Sequence, residues 1–330
     1  MFFFVMLLYF VISISLLRLE GRGPDYLNYV EHYLGNSGDV LEPGYEFICN
    51  IGREFNVAPD VFFFWCFWLC VIVTSISIYK LCKRYNVNYI SVFMMYFSYL
   101  FYLHSFTQIR IGLALALLLL IYSIGNLSKP MRVTLSCFGF LFHSSSIIFF
   151  IVYFFSIEKQ FVYRVENWKR IRAFYASLPF VGYSILFLIS SSSMLSNLLL
   201  NVEVVIPRAG MYISSSELPF TLEFGFKQSL ILCTLLFYWL YVYSEATICN
   251  SFELFCLKIS TFAISLFIIL SQYASIAYRV FELFELFFIF LVSFLLKRNV
   301  YVGLFICVVY ILISLRAVFF IDSPLFWIEG

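Results

Sequence analysis

Leu103-His104-Ser105-Phe106-Thr107-Gln108-Ile109-Arg110 leads into Ile111-Gly112-Leu113-Ala114 and an apolar run that lasts to Tyr122. The run breaks at Gly125-Asn126-Leu127-Ser128-Lys129-Pro130 and resumes to Phe142. It then meets His143-Ser144-Ser145-Ser146 and goes on from Ile147 to Phe155. An arginine and a histidine are thus set into segments that otherwise read as lipid-soluble. Ionisable groups at membrane depth are costly, which makes Arg110 and His143 functional candidates.

The rest of the chain has the same character. Of 330 residues 63% are hydrophobic and 12% charged, with a mean hydropathy of +0.94, too apolar for a water-soluble domain. At about 20 residues per crossing, roughly ten or eleven spans fit. The expected fold is an all-α, polytopic transmembrane helix bundle, a single integral membrane domain over residues 1–330. Met1 to Leu17 has neither a basic leader nor a small-x-small cleavage site, so a retained helix is expected there.

Hydrophobic runs place helices at about 2–17, 61–79, 89–106, 109–124, 173–190, 228–244, 254–272, 280–296 and 300–318, oriented by Lys/Arg bias. Residues 133–156 decide the topology. They are long enough for one crossing, yet both flanks are basic: Lys129 and Arg132 before, Lys159, Arg164, Lys169, Arg170 and Arg172 after. Two short helices meeting at His143-Ser144-Ser145-Ser146 keep both clusters on the cytoplasmic side and place His143 near the outer surface or in a re-entrant turn buried in protein. Two periplasmic loops result, at about 18–60 and 191–226.

On this map the basic residues left outside are Arg18, Arg22, Arg53, Arg110, Arg208, Lys227, Arg279 and Arg316, nearly all arginine. Guanidinium groups grip phosphate bidentately where lysine offers a point charge, so a phosphorylated ligand on the outer face is expected. The net charge of +2 is nearly balanced, and no nucleic-acid partner is expected. Nine cysteines without a CxxC pair leave only Cys49 in an outer loop, so no disulfide is expected. His32, His104 and His143 lack metal-ligand spacing, and GxxxxGK[ST] and DxD are missing. No metal, cofactor or nucleotide-sugar donor is expected.

Three constellations carry possible chemistry. Arg110, at the N-terminus of a helix, either strengthens an anion site or pairs with Glu42 or Glu46 of the first loop. Arg279, Glu282 and Glu285 share one helical face. That face is either a self-satisfied ion cluster or a phosphate-binding arginine with a proton-accepting carboxylate. His143 either hydrogen-bonds a backbone carbonyl or serves as a general base or sugar ligand. Arg208 and Tyr212 sit in the second outer loop. Arg22, Asp25, Tyr26 and Tyr29, with Glu42-Pro43-Gly44-Tyr45-Glu46, make the first loop acidic and tyrosine-rich, a composition suited to sugar hydroxyls and rings.

Four short motifs occur in an order that resembles the EpsG-like group of Wzy-type polysaccharide polymerases. They are Gly23-Pro24-Asp25-Tyr26-Leu27-Asn28-Tyr29, Glu42-Pro43-Gly44-Tyr45-Glu46, Gln108-Ile109-Arg110-Ile111-Gly112-Leu113-Ala114 and Phe142-His143-Ser144-Ser145-Ser146. The resemblance spans about 20–295, with one departure: the family's usual Arg-Gln is replaced here by Gln108 two residues before Arg110. It implies a multi-pass enzyme of the bacterial inner membrane with a GT-C-like fold and a periplasmic active site. Its substrate would be an undecaprenyl-pyrophosphate-linked oligosaccharide, and its product O-antigen or exopolysaccharide. Membrane lipids, a chain-length regulator and a repeat-unit flippase are the implied partners. The expected roles are Arg110, Arg208 and Arg279 on the pyrophosphate, His143 or Glu282 as base, and Arg22, Asp25, Glu42, Tyr45 and Tyr212 in substrate binding. A ligase joining glycan to lipid A core, or a flippase, are the rival functions. A flippase calls for charges spread through the bundle midplane, whereas these lie at helix ends.

Overall fold

Helices α1 (Tyr26–Tyr33) and α2 (Pro43–Glu54) fold inside the stretch read as a polar outer loop. Pro43 opens α2 at a position where a missing N–H costs nothing, and Gly35 at φ +78° follows the end of α1. In the computed structural model residues 11–16, 25–36, 42–125, 127–143, 146, 165–190, 225–242, 251–271 and 274–318 are described, and every regular element among them is helical. The chain folds as two units, Met1–Tyr153 with Cys307–Gly330, and Phe154–Ile306.

In the first unit, α3 (Pro59–Tyr85) starts at another proline and stops at Asn86, whose left-handed backbone (φ 54°) lets the Val87 N–H bond the Cys82 carbonyl at 2.9 Å. Its inner side is built from Phe62, Phe63, Cys66, Phe67 and Cys70, while Trp65, Leu69, Ile72, Ile76 and Tyr79 form an exposed stripe at helical spacing. Asn88 caps α4 (Tyr89–Met95) by accepting from the Ile90 and Ser91 N–H groups. The helix then widens into two π-helical stretches, Tyr96–Leu100 and Tyr102–Thr107.

At Gln108 (φ −107°, ψ 59°) the chain turns sharply into α5 (Ile109–Ser123), so that the His104 carbonyl lies against Gly112, where any side chain would overlap it. Helix α6 (Lys129–Phe140) follows and ends in a turn at Leu141–Phe142. Residues 133–156 therefore do not form one unbroken helix. The second arm expected at 147–156 lies outside the described residues.

The second unit contains α7 (Val165–Ser190), α8 (Phe226–Phe237), α9 (Ser251–Leu270) and α10 (Ala274–Arg298). Helix α8 continues as the π-helical stretch Tyr238–Val242. Rings of α9 and α10 interlock edge to face, Phe255 with Phe287 at 5.5 Å and Phe252 with Phe290 at 5.3 Å. Tyr175 of α7 stacks on Trp239 at 5.1 Å, and the Trp239 indole N–H donates to the Thr261 hydroxyl. Arg298 at the end of α10 grips buried Glu253 in the first turn of α9 with two 2.7 Å hydrogen bonds. Helix α11 (Val300–Arg316) leads from the second unit back to the first.

By length and composition α3 and α9 can cross a bilayer, and Tyr89–Leu100, Ile109–Ser123, Phe226–Val242 and Val300–Arg316 are apolar but shorter. The chain thus has the helical, partly apolar build expected of a membrane bundle.

Candidate functional site

The site is best built from Glu42 upward. Pro43 and Gly44 begin α2, so the first N–H groups of that helix have no partner inside it. The Gly44 and Tyr45 N–H groups instead donate to the Leu141 carbonyl, at 2.8 and 3.3 Å, in the turn that ends α6. A side chain at Gly44 would stand 2.8 Å from that oxygen and from the Leu141 Cβ. Only glycine permits the approach, which brings Glu42-Pro43-Gly44-Tyr45 onto Leu141-Phe142-His143.

Glu42, the residue before α2, is held there facing α5. Its carboxylate accepts from the Arg110 Nη1 at 2.7 Å, with both side chains about five-sixths buried (15% and 16% exposed). Of the two expected readings of Arg110, the pairing with Glu42 is the one present. The guanidinium also lies 5.9 Å from the ring centres of Tyr29 and Tyr45, near the outer limit of a cation–π contact. Its Nε–H is buried with no hydrogen-bond partner among the described residues.

Tyr45 is fully buried, and its ring belongs to a cluster of Tyr26, Tyr29, Tyr33, Cys49, Phe62, Phe63, Cys66, Ile109 and Leu113. Burial raises the Tyr45 phenol well above its ordinary value and pushes the Cys49 thiol up to about 12. Cys49 is therefore a protonated packing residue at neutral pH and not a nucleophile. Asp25 is half-buried at the N-terminus of α1, and its carbonyl accepts from the Tyr29 N–H at 3.1 Å.

The two loop helices are fastened by Arg53. It donates from Nε to the Tyr33 carbonyl and from Nη2 to the His32 carbonyl, the last carbonyls of α1, and from Nη1 to Glu46. Glu46 also meets His32 Nε2 at 2.6 Å. Burial works to raise the Glu46 carboxyl, but hydrogen bonds from His32 and Arg53 outweigh it and hold the group below its ordinary value.

His143 is half-buried in the turn after α6, with its N–H bonded to the Gly139 carbonyl. Gly139 packs near the Ala114 carbonyl of α5. Arg110 lies one helical turn before Ala114 and His143 one turn beyond Gly139, on consecutive helices that pack together. Both residues consequently stand at the same end of the α5–α6 pair. The four quoted motifs are accordingly represented in one cluster by Tyr29, Glu42 with Tyr45, Arg110, and the turn bearing His143.

Arg279 and Glu282 belong to the second unit, both half-buried on α10. On the same face Glu285 is buried and pairs with Lys227, the second residue of α8, at 2.5 Å. In the sequence Lys227 is one of the outer basic residues, and nothing in its spacing links it to Glu285. The pairing emerges from tertiary structure, in which α8 and α10 both pack against α9. Arg22, Arg208 and Tyr212 lie outside the described residues.

The chain belongs to the EpsG family, whose model matches residues 1–328. Neither a curated protein nor a solved structure matches it. The family carries a polysaccharide-polymerase type of role, and the expected EpsG-like membership holds over nearly the whole chain.

Proposed function

We propose that this EpsG-family chain polymerises a bacterial surface polysaccharide. The growing glycan is moved from undecaprenyl pyrophosphate onto a lipid-linked repeat unit, at the periplasmic face of the inner membrane, to build O-antigen or exopolysaccharide. The observation that carries this is the Arg110–Glu42 pair, half-enclosed by Tyr29 and Tyr45 at the end of the helix pair that also bears His143. It combines a cation for a diphosphate with carboxylate and aromatic groups for sugar.

In this reaction an acceptor hydroxyl attacks the anomeric carbon, the bond from that carbon to the pyrophosphate oxygen breaks, and the carrier leaves as its diphosphate. The leaving group is already activated, so the largest task is to stabilise charge growing on the diphosphate. Each preorganised donor contributes about 3–4 kcal/mol to such a task. Arg110 takes this role. Glu42 occupies one Nη position in the resting protein and orients the guanidinium, leaving the Nε edge for a ligand oxygen. His143 accepts the acceptor's proton, Asp25 is assigned to the sugar side, and Tyr45, fully buried, backs the Arg110 guanidinium from the core.

Arg279 and Glu282 of α10 are assigned a pyrophosphate contact and an alternative base by sequence alone. Arg22, Arg208 and Tyr212 are assigned to substrate binding by sequence alone. Membrane lipids, a flippase and a chain-length regulator are the proposed partners.

The test is the purified protein in nanodiscs with lipid-linked repeat units as sole substrate. A ladder of glycan lengths is expected, and Arg110→Lys should abolish it because an ammonium cannot reproduce the fork. No ladder from lipid-linked repeat units alone, or a full ladder from both Arg110→Lys and Arg110→Ala, would overturn the proposal.

A further inference from the structure

Helix α2 has three sides rather than two. Tyr45, Cys49 and Gly52 point inward and are buried. Glu46, Asn50 and Arg53 make a polar flank tied by hydrogen bonds to one another and to α1. On the opposite flank Phe47 is 65% exposed, Ile51 39% and, just past the helix, Phe55 76%. At about 100° per residue, Ile51 lies roughly 140–160° around the helix from Glu46 and Arg53. Exposed Glu54, about 20° around the helix from Phe47, marks the border of this flank, and from Phe47 through Ile51 to Phe55 large apolar side chains are left bare in a surface that asks for an apolar cover.

The position of α2 decides what covers it. Only residues 56–58 separate Phe55 from Pro59, the first residue of the 27-residue apolar helix α3. That connection reaches at most about 14 Å. It is also fixed, since the Val57 N–H bonds the Gly52 carbonyl and the Val57 carbonyl accepts from the Tyr33 hydroxyl. Helix α3 presents its own bare stripe, Trp65, Leu69, Ile72, Ile76 and Tyr79, along most of its length. A helix that crosses a bilayer with such a stripe faces lipid, and α2 is pinned where that stripe begins.

We infer that α2 lies in the lipid interface of the leaflet that receives the N-terminal end of α3, with Phe47, Ile51 and Phe55 inserted among acyl chains and Asn50 toward water. The Arg110–Glu42 pair then sits at headgroup depth, because Glu42 immediately precedes α2. A polyprenyl-linked diphosphate, whose phosphates lie at that same depth, reaches Arg110 by lateral diffusion without leaving the membrane. This second step rests on the function proposed above. The lipid contact does not.

The experiment places a trifluoromethyl-phenylalanine probe at Phe47, Phe55, Asn50 or Leu69, one at a time. The full chain is held in nanodiscs of phosphatidylethanolamine and phosphatidylglycerol. Fluorine relaxation is compared with dissolved oxygen, which concentrates in acyl chains, and with a water-soluble gadolinium chelate. The oxygen-to-chelate enhancement ratio at positions 47 and 55 should be several-fold higher than at 50 and close to that at 69. A ratio at 47 and 55 equal to that at 50 would overturn the inference, since the flank would then face water or a soluble partner. Protection from both reagents would also overturn it, in favour of a second copy of the chain as the cover. The phenylalanine replacements are nearly isosteric, and the readout needs no activity, so a failure of the polymerase reading leaves this result interpretable.

Discussion

Replacing Gly44 with alanine tests whether the contact between α2 and the α6 turn builds the site. The added methyl would stand 2.8 Å from the Leu141 oxygen, where ordinary contact begins near 3.4 Å, so the two segments must separate by about 0.6 Å. The Tyr45 N–H to Leu141 bond, already 3.3 Å long, then passes beyond hydrogen-bond reach. Losing it costs about 1 kcal/mol and the overpacking about 1–3 kcal/mol, offset by roughly 0.5–1 kcal/mol from replacing a helical glycine. The net destabilisation is about 1–3 kcal/mol. It falls on the hinge that aims Glu42 at Arg110, although Gly44 itself touches no substrate. Hydrogen exchange of the protein in nanodiscs should show the Gly44 and Tyr45 amides less protected by tenfold or more, with a shortened glycan ladder. Unchanged protection at both amides in Gly44→Ala would refute the reasoning.

Glu42→Gln keeps the size of the side chain but removes the charge opposite Arg110. Transition-state binding should fall by about 1–2 kcal/mol, read as a roughly tenfold slower ladder, while Glu54→Gln on the exposed end of α2 leaves the rate unchanged. Glu46 is held below its ordinary value by His32 and Arg53. Its contribution is therefore present above the unfolded-state value, near pH 4.3, and lost as pH falls through the lower folded value. Thermal unfolding across pH 3–6 should show this acid sensitivity diminished in Glu46→Gln, and an identical pH profile would contradict the assignment. Arg298→Ala takes the guanidinium away from buried Glu253, whereas Glu253→Gln leaves a part-exposed arginine that water can reach. The first should destabilise more, by about 1–2 kcal/mol in chemical denaturation, and equal losses would count against burial as the cause.

The helices were largely legible in the sequence because apolar runs at helical spacing are a local property. The run at 109–124 is α5, the one at 61–79 lies within α3, and the break near His143 falls at Leu141–Phe142. Helices α1 and α2 were not legible, because Glu31, Glu42, Glu46 and Glu54 among tyrosines read as a solvated loop. Their inward tyrosines become a core only when Phe62 and Phe63 of α3 stand opposite them. The π-helical widening before Gln108 likewise left no mark in hydropathy, since it changes hydrogen-bond register and not composition.

By itself the sequence determined the helical, lipid-suited character of the chain, its family, and which residue types were available for chemistry. Tertiary structure alone decided the partners. Arg110 had Glu42 and Glu46 as equal candidates by composition, and it is paired with Glu42 because Gly44 docks on Leu141 and Arg53 draws Glu46 the other way. Lys227 and Glu285 meet because α8 and α10 both pack against α9. The Arg110–Glu42, Gly44–Leu141 and Lys227–Glu285 contacts each join residues far apart along the chain. A side chain's neighbours at such separations are set by how helices pack, which no local pattern of residues encodes.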